Sequence, residues 1–395
     1  MTSDIPPTGS AEAPLDIARR FAPQIIERAA EFEAARRIPA DFARKLAEAG
    51  LYRLTLPAEI GGYELHPKEY VRVIEELARA DGSLGWCVMI GTTNALLAAF
   101  LPTQTMREIF ASDPHVITGG AAAPSGKALP VEGGYKVSGR WKWGSGSQNC
   151  AWLDAGAVVV DAAGAPQMRP DGQPEIRTLF FAVDQVEIID LWETSGLRAT
   201  GSNDFQATEV FVTKERSLVL GYARRVVDRP LYRMPFFGLL AVGVCAVALG
   251  IARRAIDELI ALAVRKTPTW ERDLLKDSVR VQTAVAEAEA ALRSARAFLF
   301  ETIDAAWDSV HMGRRAPLEL HRDLRLAAVN AAWQSRKAVD LAYDQGGGSS
   351  IFASHPLQRC LRDAHTVTQH VMVNPAMWES TGRLFLGTRK LPAMF

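Results

Sequence analysis

Residues 133–152 read GGYKVSGRWKWGSGSQNCAW, and the fold turns on how they are read. Tyr135, Val137, Trp141 and Trp143 alternate with Lys136, Ser138, Arg140 and Lys142, the period of two that marks a half-buried strand. The GSGS that follows is turn chemistry, and alternation places Trp141 and Trp143 on one face. Outward from there, short runs of the same kind recur at 151–160 (AWLDAGAVVV), 177–183 (RTLFFAV), 186–192 (VEIIDLW) and 206–213 (QATEVFVT). Turn-rich stretches such as DAAGAPQMRPDGQPE at 161–175 separate them. Residues 116–220 are therefore expected to form one mostly antiparallel β unit, a sandwich or barrel domain.

On both sides the period changes to that of helices. Residues 38–50, IPADFARKLAEAG, have Pro39 near the start, Asp41 in the first turn and Gly50 as the stop. LPAEIGGYELHP at 56–67 is a loop, after which KEYVRVIEELARAD returns to helical spacing through Tyr70, Val73, Ile74 and Leu77. SLGWCVMIGTTNALLAAFL at 83–101 is apolar enough for a buried helix. Beyond Leu231, Val281, Val285, Ala288, Leu292, Ala295 and Leu299 recur at three- and four-residue steps, the seam of a bundle helix, and 320–344 repeat the pattern. The expected architecture is α+β and multidomain: a tail at 1–14, rich in small polar residues and Pro and read as disordered, an N-terminal helical domain at 15–115, the β domain at 116–220, and a C-terminal four-helix-bundle domain at 221–395.

Composition narrows the function classes. The 45 Lys and Arg residues balance the 45 Asp and Glu residues, so no net field favours nucleic acid or an anionic membrane. Cys87, Cys150, Cys245 and Cys360 lie far apart with mostly apolar neighbours, which reads as reduced thiols in a cytoplasmic protein. No export signal is evident at the N-terminus. Residues 234–252, MPFFGLLAVGVCAVALGIA, are uncharged over a length that could cross a bilayer, but they run on into ARRAIDELIALAVRK and are dominated by Ala, Gly and Val, which fits a helix buried on all sides. His66, His115, His311, His321 and His355 show no ligand spacing, so no metal site is expected. Nucleophile-elbow, P-loop and dinucleotide-binding fingerprints are missing too.

Four segments in this order resemble the acyl-CoA dehydrogenase superfamily across about residues 15–390. LPAEIGGYEL at 56–65 is similar to its P-x-x-x-G-G loop, GGYKVSGRWKWGSGSQNCAW to its G-x-K-x-W strand and turn, TSGLRATGSNDFQATEVFV at 194–212 to its G-x-R segment, and YDQGGGSSIFASHPLQRCLRDAHT at 343–366 to its GG-x-G and R-D-A run. In that family a Glu base removes the substrate's α-proton. Here the corresponding position after Arg362-Asp363-Ala364 is Val371, and the alternative location in FFGLLAVG at 236–243 has no acid, which leaves only Glu379 in a different register. RDAHTVTQH at 362–370 instead resembles the flavin-dependent monooxygenases of this fold, which take reduced FMN or FAD from a separate flavin reductase and use O2 to oxygenate a small organic, usually aromatic or heterocyclic, substrate.

The resemblance implies site residues. His370 would hold or relay a proton, placed on a helix whose Arg359, Asp363, Thr366 and His370 form a polar stripe, and a near-neutral pKa would suit that role. Ser145 and Ser147 would meet the flavin edge and Trp143 its face, with Trp141 the competing aromatic. Trp86 is a substrate-side candidate, and Asn94 stands where a first-domain His is usual, which puts part of the hydroxylase proton relay in question. Arg198, Thr200, Gly346, Gly347 and Gly348 are candidates for the cofactor, the glycines through its phosphate or through a neighbouring subunit in an expected homotetramer. Each residue also has a plainer reading: GSGS as ordinary turn, three glycines as a helix stop, His370 as part of a solvated face. Two other functions stay open at this point, an FAD-bound dehydrogenase or oxidase with an unusual base, and a non-catalytic binding module.

Overall fold

The structure is a computed structural model that describes residues 12–220, 223–313 and 316–388. Of the expected disordered tail at 1–14, residues 1–11 lie outside the described residues. The chain begins with helices α1 (Pro14–Ala35), α2 (Ala40–Glu48), α3 (Pro67–Ala80), α4 (Gly82–Ala95) and α5 (Thr103–Phe110). Strands follow: β1 (Thr118–Val131), β2 (Gly134–Gly144), β3 (Trp152–Val159), β4 (Ile176–Ala182), β5 (Glu187–Ile189), β6 (Asn203–Thr213) and β7 (Ser217–Leu218). Helices then return as α6 (Pro230–Arg233), α7 (Phe236–Ala263), α8 (Val279–His311), α9 (Leu318–Gly346), α10 (Pro356–Val367) and α11 (Ala376–Phe385).

Helix starts follow local chemistry. Two histidines of no metal-binding pattern are caps: His66 Nδ1 accepts the Lys68 N–H at 3.1 Å and His355 Nδ1 the Leu357 N–H at 3.3 Å, each just before a proline in the first turn. Asp81 caps α4 by accepting from Leu84 N–H at 2.9 Å. Helix α7 is apolar all round over residues 236–252, because α3, α4, α9 and α10 pack about it. Its glycines set the spacing: a Cβ on Gly250 would stand 2.3 Å from the Glu75 carbonyl oxygen, so α3 and α7 approach too closely for any other residue. Among the described residues two helices, 82–100 and 236–263, are apolar enough to span a bilayer, and both are mostly buried inside the protein.

The strands form one seven-stranded sheet in the order β5-β6-β2-β1-β3-β4-β7. It is mostly antiparallel, as expected, with one exception: β1 and β3 run parallel in register from Thr118↔Trp152, and the remaining pairs are antiparallel. Strands that are not sequential neighbours can pair this way because β2 leaves β1 by a hairpin and the chain returns on the other side. The sheet curls around Trp141, whose ring stacks on Phe205 of β6 at 5.3 Å and meets Phe181 of β4, across the curl, at 5.7 Å. The strands thus wrap one core as an open barrel would, and among the described residues there is no second sheet to make a sandwich.

Candidate active site

The turn between β2 and β3 does not continue the alternation. Trp141 is fully buried, whereas Trp143 has φ +67° and lies 66% exposed, next to a register shift between Trp141 and Gly144. A left-handed backbone at a bulky residue ends the pleat and turns the second indole out, so the two tryptophans do not share a face. Gly146 (φ +69°) then turns the chain back under the strand.

This turn is fastened to the rest of the molecule by a line of buried hydroxyls. Trp86 of α4 donates Nε1–H to Ser145 Oγ at 3.0 Å; Ser145 Oγ lies 2.7 Å from Ser202 Oγ, which lies 2.6 Å from Thr200 Oγ1, and Thr200 donates to the Leu197 carbonyl at 2.8 Å. Each hydroxyl has one proton, so the last bond fixes all the others. Thr200 gives its proton to Leu197, hence Ser202 donates to Thr200 and Ser145 to Ser202. Ser145 therefore meets a further partner only as an acceptor. The segment that ends this line is clamped from two sides: Asp363 of α10 accepts the Leu197 N–H at 2.6 Å, and Glu33 of α1 pairs with Arg362 at 2.6 Å and Arg359 at 2.9 Å. The expected polar stripe on α10 is thus an interior clamp and not a solvated face.

His370 closes the group. It lies past the end of α10, in a turn, and not on the helix the spacing suggested. Its ring meets Trp86 edge-on at 5.3 Å, and its Nδ1 accepts the Met372 N–H at 3.3 Å, which leaves the proton of the neutral ring on Nε2. Burial, and after it the charge of Arg325, depress its pKa to about 4, so the near-neutral value expected from the sequence is corrected and the ring is uncharged at pH 7. Trp86, Ser145, Thr200 and His370 are in this way brought together, and Ser202 joins them, a residue that no sequence motif singles out.

The remaining candidates are placed differently. Ser147 is fully buried, and its Oγ has no partner among the described residues. Arg198 contacts the Thr194 carbonyl at 3.3 Å and stands 3.8 Å from Glu33, which two other arginines already satisfy. Asn94 is not part of the group. It lies eight residues beyond Trp86 on the same helix, roughly 12 Å along the axis, where it donates to Asp154 and to the Gly119 carbonyl. Gly346, Gly347 and Gly348 end α9, with Gly347 at φ +56° and Lys266 Nζ on the Gly346 carbonyl at 2.9 Å. That puts them about 30 Å along α9 from Arg325, outside the group within one chain. Val371 is exposed, and Glu379 is an exposed partner of Arg383, so neither offers a buried base. No cluster of metal ligands occurs among the described residues, and all four cysteines are buried and free.

Two buried acids carry a pH signature. Burial raises Asp154 and Asp363 to about 7, far above the ordinary carboxylate value. Between about pH 4 and 7 each is protonated in the folded chain and ionised in the unfolded one, so stability falls as pH rises through that window and levels off above it. Asp154→Asn removes one of these groups, and urea unfolding at pH 5 and pH 8 is expected to show a smaller difference for the variant than for the wild type.

Comparison with known proteins shows the family. Residues 8–105 match the family described as acyl-CoA dehydrogenase, N-terminal domain, and residues 242–375 match acyl-CoA dehydrogenase, C-terminal domain. The chain is 35% identical over 365 residues to the indole-3-acetate monooxygenase of Pseudomonas putida, covering 92% of this chain and 91% of that protein. It is 30% identical over 365 residues to the flavin-dependent monooxygenase oxygenase subunit HsaA of Rhodococcus jostii (strain RHA1), covering 89% and 92%. Its structure superposes on that of the 3-HSA hydroxylase from Rhodococcus sp. RHA1 with a TM-score of 0.88 at 26% identity, covering 98% of this chain and all of the other. With an apolar residue in place of the dehydrogenase base and relatives of this kind along nearly its whole length, the chain belongs to the flavin-dependent monooxygenase branch of the acyl-CoA dehydrogenase superfamily.

Proposed function

We propose that this chain is the oxygenase component of a two-component monooxygenase: it takes reduced FMN or FAD from a separate reductase and transfers one oxygen atom of O2 to a small aromatic or heterocyclic substrate. The observation that carries the reading is the joining of Ser145, Trp86 and His370 beside a position where the dehydrogenase carboxylate is replaced by Val371. The chain's own atoms fit a flavin. A flat, polar-edged aromatic ring needs an aromatic surface and hydrogen-bond partners at its rim, and the exposed Trp143 indole, the acceptor lone pair of Ser145 and the unpartnered Ser147 hydroxyl offer these around one turn. Ser145 as an acceptor suits the N5–H of reduced flavin, whereas the oxidised ring presents a bare N5 that calls for a donor. Arg198, with donors left over from Glu33, is assigned to the flavin phosphate, and Gly346–Gly348 to the cofactor of a neighbouring subunit in a homotetramer.

Bound reduced flavin supplies the electrons that activate O2. The protein positions and protects. Trp86 is held by its bond to Ser145 and supports the His370 ring from the side, so Nε2–H of His370 is aimed by packing rather than by charge. An uncharged imidazole donates a hydrogen bond to a developing oxyanion without first giving up its proton to water. The cytoplasmic setting belongs to this proposal, because both reduced flavin and reduced thiols require a reducing compartment.

The test is an anaerobic titration with reduced FMN and reduced FAD, followed by mixing with isotopically heavy dioxygen and indole-3-acetate or another aromatic substrate. Tight binding of a reduced flavin and one heavy oxygen per product molecule are expected. Turnover with an artificial electron acceptor in place of oxygen, and no oxygen in the product, would overturn the reading in favour of a dehydrogenase. Ser145→Ala takes away the acceptor for Trp86 and breaks the hydroxyl line. Reduced-flavin affinity is expected to fall about tenfold, and stability by about 1–3 kcal/mol for the buried N–H left without a partner, measured by titration and urea unfolding.

A further inference from the structure

Among the described residues, Arg325 is a buried cation with no acidic partner. Arg325 is 1% exposed on the core side of α9. Its guanidinium donates to the Phe237 carbonyl at 3.1 Å and otherwise meets only the thioether sulfurs of Met372 at 3.0 Å and Met377 at 2.6 Å, while Nε has no partner. Every other influence on its charge is small beside burial, which lowers it to about 10 and so leaves it ionised at neutral pH. A thioether is a weak acceptor, and a charged guanidinium shut away from water without a carboxylate is a costly arrangement for a fold to keep. Residues kept at such a cost mark functional sites.

The surroundings say what is missing. Phe237 lies in the first turn of α7, so Arg325 stands at the positive end of a 28-residue helix, and the two together make a field for a single negative charge. The Phe237 ring packs edge-on against Phe236, which in turn meets Phe100, so aromatic side chains gather at the helix end whose backbone the cation touches. On its other side the charge of Arg325 is felt by His370, and Met372 belongs to the same turn as that histidine. The two methionines, unbranched and flexible, are the side chains most able to withdraw when a better acceptor enters.

We propose that Arg325 is the anion-recognition residue of the substrate site, and that the substrate is an aromatic or heteroaromatic carboxylic acid whose carboxylate replaces the Met372 and Met377 sulfurs on the guanidinium. The inference rests on the oxygenase reading and adds the substrate class to it. The planar fork of Arg matches a carboxylate with two parallel bonds. A phosphate would call for more than one cation, and a phenol is neutral at pH 7 and would leave the charge unmatched. A carboxylate in this place also cancels the repulsion that Arg325 exerts on His370 and leaves the aromatic ring against Phe237, next to the histidine.

The test compares acids with their own amides: indole-3-acetate with indole-3-acetamide, phenylacetate with phenylacetamide, and benzoate with benzamide. Binding to the protein loaded with reduced flavin is measured anaerobically by calorimetry and by thermal shift. At least one acid is expected to bind about tenfold or more tighter than its amide. Arg325→Gln is expected to bring the two within about twofold and Arg325→Lys to keep part of the preference, with reduced-flavin affinity unchanged in both. Arg325→Met, which matches the apolar surroundings and removes the unpaired charge, is a further variant expected to fold at least as well as the wild type. The proposal is overturned when every acid binds no tighter than its amide, or when the Gln and Met variants keep the wild-type preference; the wild-type comparison decides the matter without any variant. Failure of reduced flavin to bind would sink the oxygenase reading instead; the acid-to-amide ratio, measured also on the flavin-free protein, still stands or falls by itself.

Discussion

His370→Ala is expected to lower turnover by roughly 10²- to 10⁴-fold while changing reduced-flavin affinity by no more than about twofold. The asymmetry follows from where the ring sits. It touches Trp86 from the side and is fixed by the Met372 N–H, but it takes no part in the hydroxyl line through Ser145, so its removal leaves the flavin-side contacts intact. His370→Asn keeps a hydrogen-bond donor without the imidazole's reach and is expected to fall between alanine and wild type. Single-turnover measurement with pre-reduced flavin separates the two effects; equal losses in flavin binding and turnover would show that the ring acts on the cofactor instead. The pH dependence has a definite sign. The pKa is held near 4, below the ordinary value of 6.5, so the unfolded chain takes up a proton in that interval before the folded one does. The stability that comes from the half-buried neutral ring is therefore complete above about pH 6.5 and is lost as the pH falls through 6.5 toward 4. Turnover of the wild type should be level across pH 6 to 8 as far as this residue governs it.

The path from sequence to site was uneven for physical reasons. Helices and strands were legible because their periods repeat over many residues, and the four family segments fix their order. The parallel pairing of β1 with β3 was not, because strand direction depends on the route of the chain between strands and not on the alternation within each. The change of face between Trp141 and Trp143 was hidden for a similar reason: one residue at positive φ reverses a side chain, and nothing in K-W-G-S marks the tryptophan rather than the glycine as the residue that adopts it. Only its neighbours in the R-D-A run mark His370, and it lies beyond the helix because three- and four-residue spacing carries on past the true stop at Val367. Arg325 gave no signal at all. An arginine in an Ala-rich helix reads as surface, and what buries it are Phe237, Met372 and Met377, which lie some fifty to ninety residues away in the chain. Isolated buried charges become visible only when the elements that cover them are in place.

Trp141→Ala is expected to cost about 3–5 kcal/mol of stability, enough to remove a large share of what a domain of this kind possesses. Its ring fills the centre of the curled sheet, stacked on Phe205 and against Phe181, and its Nε1–H donates to the Gly156 carbonyl at 2.6 Å. The site is built around it: a Cβ on Gly126 would fall 2.4 Å from the indole, and one on Gly139 2.8 Å, so both strands give up side chains to admit it. Alanine would leave a cavity that this glycine floor cannot fill and a carbonyl without its donor, whereas Trp141→Phe keeps most of the volume and is expected to cost about 1–3 kcal/mol, chiefly through the lost hydrogen bond. Trp143, two residues along, gives the contrast. Exposed and on a left-handed backbone, Trp143→Ala is expected to change stability by less than about 0.5 kcal/mol, yet to weaken reduced-flavin binding about tenfold if its indole covers the ring. Urea unfolding and anaerobic flavin titration on both variants separate the two roles. A stability loss at Trp143 equal to that at Trp141, with no change in flavin affinity, would return both tryptophans to the core and take the aromatic cover away from the proposed cofactor site.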